Sequence, residues 1–140
     1  MTQRTTPIPF LDTNVLLRHL LQDHQDHSPR ATAYIGRIER GELRAHTSDV
    51  VVFELVFNLE RRFRERRSQI RDSMLALLEL PGIVLPDKQR IQLAFELYLG
   101  HNISFPDAYH AVLMEQLQIT EVISFDRDFD RVPGIARIEP

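Results

Sequence analysis

Residues 9–17 read PFLDTNVLL, an apolar segment that is broken by one acid and then continues with the apolar spacing of a helix. The apolar start predicts the end of a strand, and Asp12 directly follows it. Open α/β sheets collect their ligands in the crevice outside the carboxyl ends of the parallel strands. Asp12 is therefore the first candidate for a functional residue, held by rigid neighbours on both sides.

The rest of the chain alternates between short apolar runs and longer amphipathic segments. Capping residues and apolar periodicity predict helices from Thr13 to about Leu21, from a Ser28-Pro29 start to Gly41, from a Ser48 cap to about Phe63, from a Ser68 cap to Leu78, from an Asp87 cap to Gly100 and from Ser104 to about Gln118. Strands are predicted over residues 43–47, 83–85, 122–124 and 135–138. This alternation predicts an α/β fold, a three-layer α/β/α sandwich around a mostly parallel sheet of about four or five strands, and we expect residues 1–140 to form a single domain.

Composition excludes several classes of protein. No apolar run approaches the roughly 18 residues of a membrane span, and the apolar segment before Asp12 is too short for the core of a signal peptide. The chain has no cysteine, so a cytoplasmic location is expected. Its net charge of -3 argues against a protein that coats nucleic acid through bulk positive charge, but it does not exclude a nuclease whose acids are concentrated in one site.

Three acids lie at comparable junctions of the predicted fold. Asp12 follows the first strand, Asp107 lies in the first turn of the last long helix, and Asp126 comes two residues after a predicted strand. Because strand ends and helix starts share one edge of a parallel sheet, we expect these carboxylates to converge. Glu54 lies among apolar neighbours on the first turns of its helix and can reach the same edge; a buried carboxylate there would need a partner.

Convergent carboxylates predict a divalent cation. Two carboxylates about 4 Å apart repel by roughly 4 kcal/mol at an effective dielectric near 20, so the group cannot stay fully ionised without added positive charge. A set of oxygen ligands without histidine or cysteine favours Mg²⁺ or Mn²⁺ over Zn²⁺. Such an ion makes a bound water more acidic and able to attack a phosphodiester.

Each feature taken alone also has a structural interpretation. Asp12 is compatible with a turn residue or cap, and Asp107 behind Pro106 suits the dipole of a helix N-terminus. The arginine-rich run over residues 61–67 is interpreted as a solvated face at a helix end, with a phosphate-binding patch as the alternative. The members of that run considered for RNA contact are Arg61, Arg62 and Arg64.

Four segments carry the acids in a fixed order: FLDTN at residues 10–14, VFELV at 52–56, PDA at 106–108 and SFDRDF at 124–129. Together they resemble PIN-domain ribonucleases of the kind that serve as VapC-type toxins in bacterial toxin-antitoxin pairs. The resemblance covers essentially the whole chain. It implies that the metal-site acids are Asp12, Glu54, Asp107 and Asp126, with Asp128 as a candidate for the fourth position. Thr13, Asn14 and Ser124 match positions that support the site by hydrogen bonds.

The resemblance also implies a function and partners. It predicts a metal-dependent endoribonuclease that cuts RNA with Mg²⁺ or Mn²⁺, acting as the toxin of a type II toxin-antitoxin pair. A cognate antitoxin would wrap the protein with an extended segment and place a basic side chain in the acidic cleft. A homodimer is expected as well.

Two other functions are compatible with parts of the pattern. A non-catalytic PIN-like module that binds RNA or a protein would keep the acids for structure, although binding alone gives no need for a cluster of like charges. A phosphatase would use Asp12 as a nucleophile and form an aspartyl-phosphate. Asn14 weakens that reading, because it stands where a second acid would be expected in such enzymes.

Overall fold

A computed structural model describes residues 7–140 of the chain. The first six residues of the predicted single domain lie outside this range. The segment before Asp12 runs beside a later strand, as an isolated parallel bridge between Phe10 and His46. The Leu11 N–H donates to the His46 carbonyl at 2.7 Å, and the His46 N–H donates to the Pro9 carbonyl at 2.8 Å. The strand that the sequence predicts before Asp12 is thus represented by this short paired segment.

Six α-helices account for most of the described residues. They are α1 (Thr13–Leu21), α2 (His27–Glu39), α3 (Asp49–Phe57), α4 (Arg67–Leu78), α5 (Lys88–Gly100) and α6 (Phe105–Gln116). A π-helical turn, Asn58–Arg62, continues α3, and a 3₁₀ turn spans Arg127–Arg131. Within residues 7–140, no helix combines the length and the apolar character that crossing a bilayer requires.

Four short strands form two separate parallel pairs in this part of the chain. The strands β1 (Ala45–His46) and β2 (Ile83–Val84) pair in one group. The strands β3 (Glu121–Ile123) and β4 (Ala136–Ile138) pair in the other, with Ile123 opposite Ile138. The predicted α/β class and the parallel direction are confirmed, whereas a single sheet of four or five strands is not.

Three of the predicted helix caps are present. The Ser48 hydroxyl accepts from the Val51 N–H at 3.3 Å, and a carboxylate oxygen of Asp87 accepts from the Arg90 N–H at 2.9 Å. The Ser104 hydroxyl accepts from the Asp107 N–H at 3.3 Å. Each bond satisfies a backbone donor that a helix N-terminus leaves without a partner inside the helix.

Two predicted helix starts are wrong. α2 begins at His27 instead of after Ser28, because the Nδ1 atom of His24 accepts from the His27 N–H at 2.8 Å and takes over the capping role. The buried Ser28 hydroxyl instead accepts from the His24 N–H at 3.1 Å. α4 begins at Arg67, with Arg66 at the cap position, so Ser68 lies inside the first turn.

An aromatic cluster fixes α6 against α3 and α5. The ring centroid of Phe105, at the start of α6, lies 4.6 Å from that of Phe95 on α5 and 5.3 Å from that of Phe53 on α3. Tyr109, one turn later, lies 4.9 Å from Phe53. Both Phe95 and Phe105 are almost fully buried. Because edge-to-face and tilted pairs of this kind favour one relative orientation, the first turn of α6 is held firmly.

Candidate metal centre

Asp107 lies in the first turn of α6, three residues after the Ser104 cap. Its side chain is half-buried, and its Oδ2 atom is buried with no hydrogen-bond partner among the described residues. An unpaired carboxylate oxygen in such a position is costly unless a proton or a cation compensates it. The Asp107 carboxylate therefore needs either a proton or a cation to compensate this oxygen.

The loop after β3 is organised by a relay of hydrogen bonds. The Ser124 hydroxyl accepts from the Asp126 N–H at 2.9 Å, and the Asp126 Oδ1 atom accepts from the Asp128 N–H at 2.9 Å. The second bond caps the 3₁₀ turn that begins at Arg127. Both acids of the loop are thus set in position by short local bonds that Ser and Asp form readily.

Three carboxylates meet where this loop approaches α6. One oxygen each from Asp107, Asp126 and Asp128 lies within 4.8 Å of the other two; we call this group the carboxylate cluster. Burial and the neighbouring carboxylate of Asp126 raise the pKa of Asp107 to about 6. The Ser104 N–H donates to the Asp128 Oδ2 atom at 3.3 Å, which ties the loop to the start of α6.

The carboxylate cluster has the donor chemistry of a hard divalent cation. All three donors are oxygens, and Mg²⁺ and Mn²⁺ prefer carboxylate and water ligands. The Asp107 carboxylate fits such an ion, because its Oδ2 atom has no hydrogen-bond partner among the described residues and a cation beside the carboxylate would also relieve the repulsion within the cluster. Asp128 keeps one further contact, an Arg131 guanidinium nitrogen at 3.7 Å from Oδ1.

Asp12 and Glu54 are not members of this cluster. Both are exposed, so the condition under which Glu54 would need a partner, burial of its carboxylate, is not met. The buried Thr13 hydroxyl donates to the Glu54 Oε2 atom at 2.6 Å, which joins the start of α1 to α3 beside Asp12. Because the Glu54 side chain is exposed, this hydrogen bond orients the carboxylate and is not needed to compensate burial.

A cavity of about 730 Å³ opens beside Asp12. Asn14 lines it together with the aromatic rings of Phe10 and Tyr34, and Asn14 itself is exposed. The predicted hydrogen-bonding role of Asn14 remains a prediction.

The arginine-rich run divides into two parts. Arg61, Arg62 and Arg64 are exposed, as a solvated helix end requires, and Arg64 adopts a left-handed backbone conformation with φ of 51°. Arg67 is half-buried at the start of α4. The sequence does not predict this separate position of Arg67, because nothing in the run of arginines distinguishes the one that turns inward.

Comparison with known proteins identifies the family. Residues 10–135 match the sequence profile of the PIN domain. The chain therefore belongs to the PIN domain family, and the resemblance inferred from its motifs is confirmed at this level.

Individual relatives are named as VapC ribonucleases. VapC ribonuclease Mb1869c of Mycobacterium bovis and Ribonuclease VapC13 of Mycobacterium tuberculosis are each 34% identical to this chain over 76 residues, which cover 53% of this chain and 58% of each relative. A VapC ribonuclease of Aquifex aeolicus is 29% identical over 133 residues, which cover 94% of this chain and 96% of that protein. The chain thus matches little more than half the length of the mycobacterial relatives and nearly all of the Aquifex protein.

Proposed function

We propose that this chain is an endoribonuclease that hydrolyses RNA phosphodiester bonds with Mg²⁺ or Mn²⁺. The observation that carries the proposal is the carboxylate cluster of Asp107, Asp126 and Asp128, with its buried and unpaired oxygen, in a PIN-domain chain. The relatives named VapC ribonuclease support the same activity. A binding module has no comparable need for three acids so close together.

We assign the side chains three roles: the acids form the metal site, neighbouring polar groups position them, and arginines contact the RNA. Asp107, Asp126 and Asp128 would hold the ion, and Asp12 and Glu54 would complete the acidic site from the α1 and α3 side. Thr13 and Ser124 position Glu54 and Asp126 through the hydrogen bonds described above, and Asn14 would add a further bond. When bound, the ion supplies charge neutralisation and a more acidic water for attack on phosphorus. The exposed guanidinium groups of Arg61, Arg62 and Arg64 would contact RNA phosphates.

We further propose that the active form is one PIN-like domain over residues 1–140, an α/β/α sandwich in which the two strand pairs join. Phe10, which bridges to β1, is 58% exposed, and Ile123 on β3 is 73% exposed, so each of the two groups of strands carries an exposed apolar side chain. Pairing of β3 beside residues 9–11 would add backbone hydrogen bonds along the two edges, bring side chains of the two strands beside one another and give one five-stranded parallel sheet. Asp12 and Asp126 would then lie at the same edge.

The biological role we propose is the toxin of a type II toxin-antitoxin pair in the cytoplasm. The VapC names of the relatives support this assignment. A cognate antitoxin would neutralise the enzyme, and a basic side chain from it would be favourable beside the unpaired oxygen of Asp107. A homodimer is part of the same proposal.

The test is cleavage of total cellular RNA by the purified, antitoxin-free protein with Mg²⁺, with Mn²⁺ and with a chelator. The control is Asp12→Asn, whose fold is checked by circular dichroism. We expect discrete fragments that require the metal and fall by about 100-fold or more with the variant, as is usual when a group that stabilises the transition state is removed. Absence of cleavage under every condition would reject the enzyme in favour of the binding module.

A further inference from the structure

Arg67 reaches across the structure to the residues that precede α6. Its Nη1 atom donates to the Tyr98 carbonyl at 2.9 Å and to the Ile103 carbonyl at 2.7 Å. The guanidinium also stands over the Tyr98 ring, with its Cζ atom 4.2 Å from the ring centroid. One side chain therefore links the start of α4, the end of α5 and the connection to α6.

Glu60 in the π-helical turn fixes the arginine from the other side. The Arg67 Nη2 atom lies 3.4 Å from the Glu60 Oε1 atom, and the Tyr98 hydroxyl donates to the Glu60 Oε2 atom at 2.7 Å. Tyr98 is fully buried, and its burial and the Glu60 carboxylate raise its pKa. The guanidinium of Arg67 thus contacts the face of the Tyr98 ring, two carbonyl oxygens and the Glu60 carboxylate. Together these contacts favour one orientation of the side chain.

The carbonyl that Arg67 binds belongs to the same peptide group as a donor to the carboxylate cluster. The Ile103 carbonyl and the Ser104 N–H share one peptide plane, and that N–H donates to the Asp128 Oδ2 atom at 3.3 Å. A charged donor at the carbonyl polarises the amide and strengthens its N–H as a donor. The Ser104 hydroxyl also accepts from the Asp107 N–H, so Ser104 contacts the backbone of Asp107 and the carboxylate of Asp128.

We propose that Arg67 is a positioning residue of the carboxylate cluster and acts through the Ile103–Ser104 peptide group. It fixes the plane of that peptide, and thereby sets the place of Asp128 relative to Asp107. The inference rests on the proposed function in one respect, namely that the cluster is the metal site. The peptide relay itself is a property of the metal-free protein.

The first test is hydrogen exchange of the Ser104 amide, measured by NMR without metal in the wild type and in Arg67→Gln, Arg67→Lys and Arg71→Gln. Arg71 is the matched control, because it lies on the same helix and pairs with the exposed Asp72. We expect Arg67→Gln to speed exchange at Ser104 by about tenfold, which corresponds to the loss of one charge-assisted hydrogen bond. The exchange rate of Ser104 in Arg67→Lys should lie between those of the wild type and Arg67→Gln, and the rate in Arg71→Gln should equal that of the wild type. Unchanged exchange at Ser104 in Arg67→Gln would overturn the relay.

The second test is the dissociation constant for Mn²⁺, measured by calorimetry on the same four proteins beside their melting temperatures. Loss of a residue that orients a ligand typically weakens metal binding by 10-fold to 100-fold, so we expect a rise of about tenfold for Arg67→Gln and a smaller rise for Arg67→Lys. A purely structural arginine would lower the melting temperature and leave the dissociation constant unchanged, which contradicts the proposal.

The two tests separate this inference from the proposed function. If the wild type does not bind Mn²⁺, the metal site is wrong, and the exchange of Ser104 still decides whether Arg67 positions the peptide. If Arg67→Gln does not fold, both measurements are made on Arg67→Lys. Lysine keeps the positive charge but lacks the planar guanidinium that contacts the two carbonyls and the Tyr98 ring together.

Discussion

At the scale of single residues, Asp107 is the most informative side chain. It combines a buried and unpaired oxygen with two acidic neighbours, and its pKa lies at about 6 for those two reasons. In the absence of a cation it keeps its proton to a higher pH than an ordinary aspartate does. A divalent cation would displace that proton and satisfy the unpaired oxygen. Acidic residues at helix starts usually serve the helix dipole alone, which does not explain this burial.

The raised pKa gives a prediction for stability of the metal-free protein. The ordinary value is 3.8, and the value in the folded state is about 6. A group whose pKa rises on folding stabilises the protein fully below its unfolded pKa, and this stabilisation is lost as pH rises through the folded pKa. We therefore expect the free energy of unfolding of the wild type, relative to Asp107→Asn, to fall between pH 3.8 and about pH 6. Denaturant unfolding with a chelator present measures it, and parallel profiles for the two proteins would contradict the assignment.

Residue-scale predictions from sequence succeeded where the cause is local. The caps at Ser48, Asp87 and Ser104 were recognisable because a short polar side chain bonds to a backbone N–H three residues away. The hydrogen bond between Thr13 and Glu54 was not predicted, because the two residues lie 41 positions apart and no local pattern reveals the contact. The inward turn of Arg67 was missed for the same reason, since its acceptors come from the far end of α5 and beyond.

At the scale of elements, the position of α6 depends on polar as well as aromatic contacts with α3. The Tyr109 hydroxyl donates to the Asp49 Oδ2 atom at 2.6 Å, and Arg90 on α5 donates to that hydroxyl at 3.3 Å. The Asp49 Oδ1 atom is buried without a partner among the described residues. Tyr109 lies two residues after Asp107 on α6. Its hydrogen bond to Asp49 therefore helps to fix the helix that carries this candidate metal ligand.

This contact predicts a loss of stability for Tyr109→Phe. Removing the hydroxyl leaves the Asp49 carboxylate with a second unsatisfied oxygen, which costs about 1–3 kcal/mol. Chemical denaturation measures the change, with Tyr34→Phe on α2 as a control that removes the hydroxyl of another half-buried tyrosine. If both variants were equally stable, the bond between α3 and α6 would contribute nothing.

Element boundaries show where local patterns stop being sufficient. The six helices were expected in order, and the left-handed conformation of Gly41, with φ of 78°, fits the predicted end of α2. The π-helical turn after α3 was not expected, because the buried apolar residues Val52, Leu55 and Leu59 keep ordinary helical spacing up to that turn. That turn presents Glu60 to Arg67, so a missed irregularity lies beside the proposed positioning residue.

At the scale of the whole molecule, the order of strands and helices predicted the α/β class, and the parallel-sheet argument predicted that distant acids meet. The convergence of Asp107 and Asp126 is observed, with Asp128 as a third member. How many strands share one sheet depends on pairing between distant segments, which local patterns do not encode. Asp12 and Glu54 stay outside the cluster in this structure, and their part in the site remains a prediction.

The most direct test of the account is calorimetric titration of the metal-free protein with Mn²⁺, comparing the wild type with Asp126→Asn and Asp72→Asn. Asp72 is a matched control, an exposed aspartate on α4 that pairs with Arg71. Removal of a direct ligand should weaken binding at least as much as removal of an outer partner, by about tenfold or more. We expect saturable Mn²⁺ binding of equal affinity by the wild type and Asp72→Asn. For Asp126→Asn we expect an affinity about tenfold or more lower. Equal affinities for all three proteins, or no saturable binding by the wild type, would contradict it.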